Sequence, residues 1–316
     1  MNIQLVTPAP LKVNNGNKIT AVRWVGILKT LGHRVRVTQS YDGSPCDILI
    51  ALHARRSYDS IQLFHDSHPD LPLVVVLTGT DVYRDIHEDT EAQRSLELAT
   101  KLVALQNMAL RELPRRIRKK TEVIYQSAEA VGAKSQNQSK IFKVCVVGHL
   151  REEKDPLRTA LAVRDLPATS RIQVTHIGQA LDETLAQEAK AEAARNPRYR
   201  WIGQLSHRKT RERLAQSDLV CITSRMEGSS NVLSEALASG VPVVASKISG
   251  LIGTLGNGFR GYFPVGNTEK LRKLLLRAER DPLFYRSLKR HCRQLAHLVE
   301  PTRELAAWRR LLKSIV

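Results

Sequence analysis

Asp218-Leu219-Val220-Cys221-Ile222-Thr223 leads into Glu227-Gly228-Ser229-Ser230-Asn231-Val232-Leu233-Ser234-Glu235, and Gly240-Val241-Pro242-Val243-Val244-Ala245-Ser246 follows shortly after. The first run is short and apolar, as a buried strand requires. The glycine-containing middle opens an amphipathic run, which reads as a helix start. Gly240 reads as a helix stop, and the residues after it as a second buried strand. Strand, loop, helix, strand is a βαβ unit. Its loop lies at the C-terminal end of a strand, where open α/β sheets bind ligands.

The spacing inside that unit suggests what the ligand is. Glu227 falls in the loop, and Glu235 falls about one turn inside the helix at a rise of ~1.5 Å per residue. Between them the N–H groups of Ser230 to Leu233 are expected to lack intrahelical partners. Such donors, together with the helix dipole, favour a diphosphate. Each carboxylate can accept two hydroxyl hydrogen bonds, one set from a ribose and one from a sugar ring. The plain alternative is a helix that follows a turn and carries an early acidic residue.

Working outward, the first half alternates strands and helices. Residues 2–7, 34–38, 47–53, 73–78, 101–106 and 121–125 read as strands, and 19–31 as a helix stopped by Gly32. Near-continuous apolar strands between helices indicate a parallel sheet covered on both faces. Residues 132–140 are small and polar and read as a linker. The pattern then restarts with strands at 142–148, 172–177 and 199–202 and helices at 181–195 and 208–216. Asp155-Pro156 reads as an N-cap followed by a first-turn proline. From Thr268 onward the chain reads as helical.

A length of 316 residues fits two domains. Lys and Arg number 49 against 31 Asp and Glu, for a net charge of +18. That field attracts anions. However, the basic residues are spread widely, no zinc-finger or RNA-recognition pattern is present, and aromatics are only 5%. This argues against a nucleic-acid partner and base-stacking platforms. Cys46, Cys145, Cys221 and Cys292 are isolated, with no CxxC pair, which predicts buried reduced thiols in a cytoplasmic protein. No signal-peptide pattern and no apolar run of membrane-spanning length occur, so stable membrane insertion is not expected.

Further candidate loops follow other strands. Gly148-His149-Leu150-Arg151-Glu152-Glu153-Lys154 places a lysine beside a predicted helix start, either to neutralise a phosphate or as an exposed loop residue. Gly16-Asn17-Lys18-Ile19-Thr20 is either a flexible ligand loop or a turn entering a helix. His53-Ala54-Arg55-Arg56 and Thr78-Gly79-Thr80-Asp81 follow two apolar strands. Three polar loops on one sheet edge indicate a cleft. His53 reads as a general base, an anion donor or a structural histidine. Asp81 reads as a hydroxyl-orienting carboxylate or a cap. Nothing resembles an Asp-x-Asp metal pair, so no metal is expected, and the charge on a leaving nucleotide falls to Lys154, His149 and the helix N-terminus.

The two α/β halves, the Gly148–Lys154 loop and the Glu227/Glu235 pair resemble the GT-B glycosyltransferases, family 4 in particular. The resemblance implies two Rossmann-like domains with parallel sheets facing across a cleft. Residues 1–132 would form the acceptor domain. Residues 141–316 would form the nucleotide-sugar domain, with closing helices packing back on the first. It also implies that Glu235 holds the ribose, Glu227 the donor-sugar hydroxyls and Lys154 the diphosphate, with backbone contacts from Gly228, Ser229, Ser230, Asn231, Val232 and Leu233. Gly148 and His149 would complete the donor site. Two departures are visible. His149 stands where that family usually has arginine, and no histidine occurs near Thr78.

Gln4-Leu5-Val6-Thr7-Pro8-Ala9-Pro10, Gly16-Asn17, Thr20-Ala21, Arg23-Trp24, Ala51-Leu52-His53-Ala54-Arg55-Arg56-Ser57 and Leu77-Thr78-Gly79-Thr80-Asp81 resemble a smaller group, the selenosugar synthases of selenoneine biosynthesis. That resemblance implies a UDP-sugar donor, UDP-N-acetylglucosamine or UDP-glucose, and selenophosphate as acceptor. The products would be a 1-selenosugar, UDP and phosphate. No cofactor is implied, only a functional link to a selenophosphate synthase and to the next pathway enzyme. Glu227, Lys154 and His53 would be catalytic. Gly16, Asn17, Lys18, Thr20, His53, Arg55, Thr78, Gly79, Thr80 and Asp81 would line the acceptor site. Two rival readings are a family 4 enzyme with a hydroxyl acceptor and a non-catalytic nucleotide-sugar or nucleic-acid binding protein.

Overall fold

The computed structural model describes residues 1–8, 16–132 and 140–315. The expected linker falls outside them except at its ends, as do Ala9 and Pro10 of the quoted N-terminal stretch. The chain divides into two compact units, one formed by Met1–Gln126 and Pro301–Val316, the other by Ser127–Glu300.

The first unit holds a six-stranded sheet of β1 (Asn2–Val6), β2 (Arg34–Thr38), β3 (Ile48–Leu52), β4 (Leu73–Leu77), β5 (Lys101–Ala104) and β6 (Thr121–Val123) in the order β2-β1-β3-β4-β5-β6. Every pairing is parallel. β3 and β4 are buried at every position, so their unbroken apolar runs are explained by burial on both faces. Side chains alternate between two cores. Ile48, Ile50, Leu52, Val74 and Val76 face one, while Leu49, Ala51, Leu73, Val75 and Leu77 face the other. Strand order reverses between β1 and β3, which places a switch point at the ends of those two strands.

The helix Pro301–Lys313 covers one face of this first sheet. Trp308 packs edge-on against Trp24, with ring centroids 4.8 Å apart and planes at 69°. Such aromatic pairs contribute about 0.5–1.5 kcal/mol beyond their area. The buried carboxylate of Glu304 accepts from Trp24 Nε1 at 2.6 Å and from Arg23 Nε at 3.3 Å, both on Oε1, and its Oε2 lies 3.0 Å from Arg23 Nε.

The second unit has β7 (Phe142–Val147), β8 (Ile172–Ile177), β9 (Tyr199–Trp201), β10 (Leu219–Ile222), β11 (Val243–Ser246) and β12 (Tyr262–Phe263), ordered β12-β11-β10-β7-β8-β9. All pairings are again parallel. Counted within the unit, this is the 6-5-4-1-2-3 order of a doubly wound sheet, and its switch point lies between β7 and β10.

Several local expectations need correction. Asp155 is not an N-cap. It sits in the left-handed region at φ 44°, ψ 56°, and the helix starts at Arg158. Its carboxylate is drawn instead into a fork with Arg158, at 2.8 and 3.2 Å. Of the two readings of Gly16 to Thr20 the helix entry holds, and the helix Gly16–Thr30 starts ahead of the expected Ile19. The helices expected from 181 and 208 begin at Glu183 and His207, set by the capping side chains of Asp182 and Ser206.

Candidate functional site

The loops after β7 and β10 meet at the second switch point, and side chains tie them together. Thr223 Oγ1 donates to the carbonyls of Lys154 and Asp155 at 2.8 and 3.0 Å. Ser246 Oγ, at the end of β11, donates to the Ser224 carbonyl at 2.5 Å. The Arg225 N–H donates to the Glu153 carbonyl at 2.8 Å. Within this frame Lys154 Nζ lies 2.7 Å from Glu227 Oε1. Ser224 Oγ donates to the same oxygen at 2.5 Å.

This arrangement divides the chemistry of each group. Glu227 Oε1 already accepts from two donors, while Oε2 has no hydrogen-bond partner among the described residues. Oε2 can therefore accept a hydroxyl. Lys154 places one of its three N–H donors on Glu227, leaving two for an anion. The pair is mostly buried, with side-chain exposures of 21% and 8%, so its field is less screened than that of a surface pair.

The helix Asn231–Ala238 begins beside this pair, with Ser230 as N-cap. The Leu233 N–H donates to Ser230 Oγ at 3.4 Å. It is therefore engaged by the cap rather than left open as the sequence suggested. Glu235 is buried, and its Oε1 lies 2.7 Å from Nε2 of the half-exposed His207. His207 opens the preceding helix, and nothing in the linear spacing pointed to it.

Two glycines set the distances. A Cβ on Gly250 would lie 1.8 Å from the Glu227 carbonyl oxygen, and a Cβ on Gly178 would lie 1.8 Å from that of Gly148. The Gly148 carbonyl also accepts from Nε2 of the fully buried His176 at 3.0 Å. A carbonyl needs a donor, so the proton sits on Nε2, and Nδ1 accepts from the Tyr199 hydroxyl at 2.9 Å. Burial pushes the His176 imidazole down to about 4, against the smaller upward pull of its bond to Gly148. His149 Nδ1 accepts the Gln179 N–H at 3.1 Å, so the neutral ring carries its proton on Nε2 and is a donor there.

In the first unit, His53 follows β3 at φ 74°, an uncommon conformation for a residue with a Cβ. It is 2% exposed. Nδ1 accepts the Arg56 N–H at 3.3 Å, so Nε2 carries the proton and faces Thr80 Oγ1 at 2.9 Å. Burial lowers its pKa most. Arg56 and Arg55 push the same way, and Asp81 and Asp85 oppose. His53 is thus a neutral ring built into the loop, not a base presented to solvent.

Asp81 is fully buried and accepts from the N–H groups of Ala54, Thr78, Gly79 and Val82. It clamps the two loops together and has no surface for a substrate hydroxyl. Thr20 is likewise committed. Its buried Oγ1 donates to the Gly16 carbonyl and accepts from Gln126 Nε2 at 2.6 Å. Asn17, Lys18, Arg55, Thr78, Gly79 and Thr80 keep partial exposure, and Gly16 is exposed.

All four cysteines are buried and free. Burial pushes Cys145 and Cys221 up to about 12 and Cys292 to about 11, so these three stay as thiols. Among the described residues no cluster of His, Cys, Asp or Glu could hold a metal ion, and no helix is long and apolar enough to cross a membrane.

Solved structures resemble the chain over almost its full length. Anabaena Alr3699/HepE in complex with UDP matches with a TM-score of 0.77 and 16% identity, covering 99% of each chain. The same protein in complex with UDP-glucose gives 0.76 and 17%, over 99% of this chain and 100% of that one. Sucrose-phosphate synthase from Thermosynechococcus elongatus gives 0.79 and 15%, over 99% and 98%. At such identities the likeness establishes the fold, which is GT-B, two Rossmann-like units each with a six-stranded parallel sheet. Residues 128–295, more than half of the chain, match the family described as "Glycosyl transferases group 1", and the chain belongs to that family of glycosyltransferases.

Proposed function

We propose that the chain is a selenosugar synthase that moves the sugar of a UDP-sugar onto the selenium of selenophosphate. One observation carries the acceptor side of this reading. The described residues of the stretches that resemble the selenosugar synthases lie in the C-terminal part of β1, at the ends of β3 and β4 with the loops after them, and in the N-terminal part of the helix Gly16–Thr30. These elements surround the switch point of the first sheet, where ligands bind in open α/β folds.

The donor side belongs to the second unit. HepE, a structural neighbour, is solved in complex with UDP and with UDP-glucose, which supports a UDP-sugar here. Lys154 and the first turn of the helix Asn231–Ala238 meet the diphosphate. Glu227 Oε2 accepts a donor-sugar hydroxyl, and Glu235 accepts the ribose once His207 yields its place. Lys154 also stabilises the charge that builds on the leaving diphosphate, the role of a preorganised cation in a group-transfer site.

In the reaction, the selenium lone pair forms the C1–Se bond as the C1–O bond to UDP breaks, and UDP leaves with that electron pair. The product at this stage is a sugar selenophosphate. Water then adds at phosphorus, the P–Se bond breaks, and phosphate and the 1-selenosugar separate. Selenium is already a strong nucleophile, so no base is required to remove a proton. This fits the buried, neutral state of His53, which is left with a positioning role.

The deciding experiment is an anaerobic incubation with UDP-N-acetylglucosamine or UDP-glucose, with and without selenophosphate, read by UDP release and mass spectrometry. The expected result is UDP released only with selenophosphate, together with a sugar bearing the selenium isotope pattern. Turnover with hydroxyl acceptors alone would replace this reading with that of an ordinary family 4 enzyme. Glu235→Ala is expected to weaken UDP binding itself, and unchanged affinity in calorimetry would remove Glu235 from the ribose role.

A further inference from the structure

We infer that Arg55, Arg84 and Asp85 form a phosphoryl-oxyanion subsite on the first unit, with the two guanidinium groups holding the anion and Asp85 positioning them. The inference deepens the proposed function, because it rests on the acceptor being a phosphoryl anion.

Asp85 ends the turn Asp81–Asp85 that follows β4 and is 4% exposed. Its Oδ2 accepts from Arg55 Nε at 3.1 Å, and its Oδ1 accepts from Arg84 Nε at 3.0 Å. Burial pushes this carboxyl up, but the hydrogen bonds from Arg84 and Arg55 outweigh burial and hold it below its usual range. It is therefore ionised, and each oxygen anchors one guanidinium.

One buried carboxylate requires only one cation for neutrality. Here two are fixed to it, and Arg56 adds a third positive charge close enough to lower the pKa of His53. The opposing charges are Asp85 and Asp81, whose Oδ2 lies 4.0 Å from His53 Nδ1. With His53 neutral, the cluster keeps a net positive charge. Neutralising Asp85 therefore does not account for the second arginine.

The geometry of the two arginines suits an oxyanion. Each uses Nε–H on Asp85, and its side chain makes no other hydrogen bond among the described residues. That leaves the outer N–H groups of each fork. Their side chains are 39% and 47% exposed, so those groups are accessible. Anchoring Nε to a buried carboxylate also removes much of the rotamer freedom that binding would otherwise have to restrict. Two anchored forks in the segments that follow β3 and β4 suit a tetrahedral anion of the phosphate type, for which bidentate arginine contacts are the strong ones.

The test uses the full chain with saturating UDP, which occupies the nucleotide site, and inorganic phosphate and thiophosphate as probes in calorimetry. The expected result is that Arg84→Ala weakens both probes by about tenfold or more, about 1.4 kcal/mol, while UDP affinity is unchanged. Arg84→Lys keeps the charge but loses the fork and recovers only part of the affinity. Asp85→Asn raises the acceptor KM while leaving UDP affinity as it was. The inference is overturned if the UDP-loaded chain binds neither probe, or binds them equally well in Arg84→Ala. Thiophosphate binding through Arg84 without selenophosphate turnover would leave the subsite standing and remove the proposed reaction. Selenophosphate turnover with an unchanged KM in Arg84→Ala would do the reverse.

Discussion

Gly250→Ala adds a single methyl group and should disable donor binding. Gly250 lies in the first turn of the buried helix Ser249–Leu255, and a Cβ there would lie 1.8 Å from the Glu227 carbonyl oxygen, 2.7 Å from its carbon and 3.3 Å from the Glu227 Cβ. Ordinary contact begins near ~3.5 Å between carbon atoms. The loop must therefore retreat by more than 1 Å, and Glu227 moves with it. Displacement of about 1 Å at a positioning group costs on the order of 10²-fold in rate. The same clash destabilises the unit by about 1–3 kcal/mol, a drop of about 2–4 °C in Tm per kcal/mol for a unit of this size. Turnover and UDP affinity should be measured well below the melting point, with Gly258→Ala as control, since a Cβ at Gly258 has nothing within 4 Å. A Gly250→Ala protein with wild-type kcat/KM and UDP affinity would refute the claim that the packing of this helix sets the position of Glu227.

Two further predictions concern stability. The folded state holds His176 down to about 4, from 6.5 in the unfolded chain. The unfolded chain therefore binds the extra proton first, and stability is full above about pH 6.5 and falls toward pH 4. The linked free energy is about 3 kcal/mol. Urea unfolding across this window should show a shallower fall in His176→Gln, and identical slopes would contradict the assignment. Glu304→Ala leaves the Trp24 indole N–H and the Arg23 guanidinium without their carboxylate and should cost about 3 kcal/mol, read as a lower urea midpoint at unchanged m. A change within about 0.5 kcal/mol would show that other groups take over both donors.

The parallel sheets are legible in the sequence because both faces of each are covered, so runs such as Leu73–Leu77 are apolar without interruption. Lys154, Glu227 and Glu235 are legible because polar residues at strand ends and helix starts stand out against such runs. Their supports are not. His176 reads as a polar interruption of β8, and its hold on the Gly148 carbonyl depends on a contact made 28 positions away. Gly250 looks like any helix glycine until the Glu227 carbonyl is placed against it. Asp155 fits the rule for an N-cap, but the fork with Arg158 and the Thr223 hydroxyl draw it and its backbone elsewhere. His207 reaches Glu235 from a separate helix. The sequence marks polar residues at the ends of elements. It does not mark the pairings between loops that decide which of them stay available to a ligand.

The contact between Trp24 and Trp308 has a consequence for biosynthesis. The first sheet is made early, yet the helix that shields Trp24 and Leu28 comes from residues 301–313, after the whole second unit. At elongation rates of about 5–20 residues per second, the wait from residue 126 to residue 308 lasts on the order of 10–40 s. Throughout that interval an apolar face rich in tryptophan, isoleucine and leucine stands uncovered on the nascent chain. Holdase chaperones bind surfaces of that kind, so the maturation of the first unit depends on a segment made only after the second. Expression yield should accordingly be more sensitive to changes near Trp308 than to equal changes in surface loops of either unit.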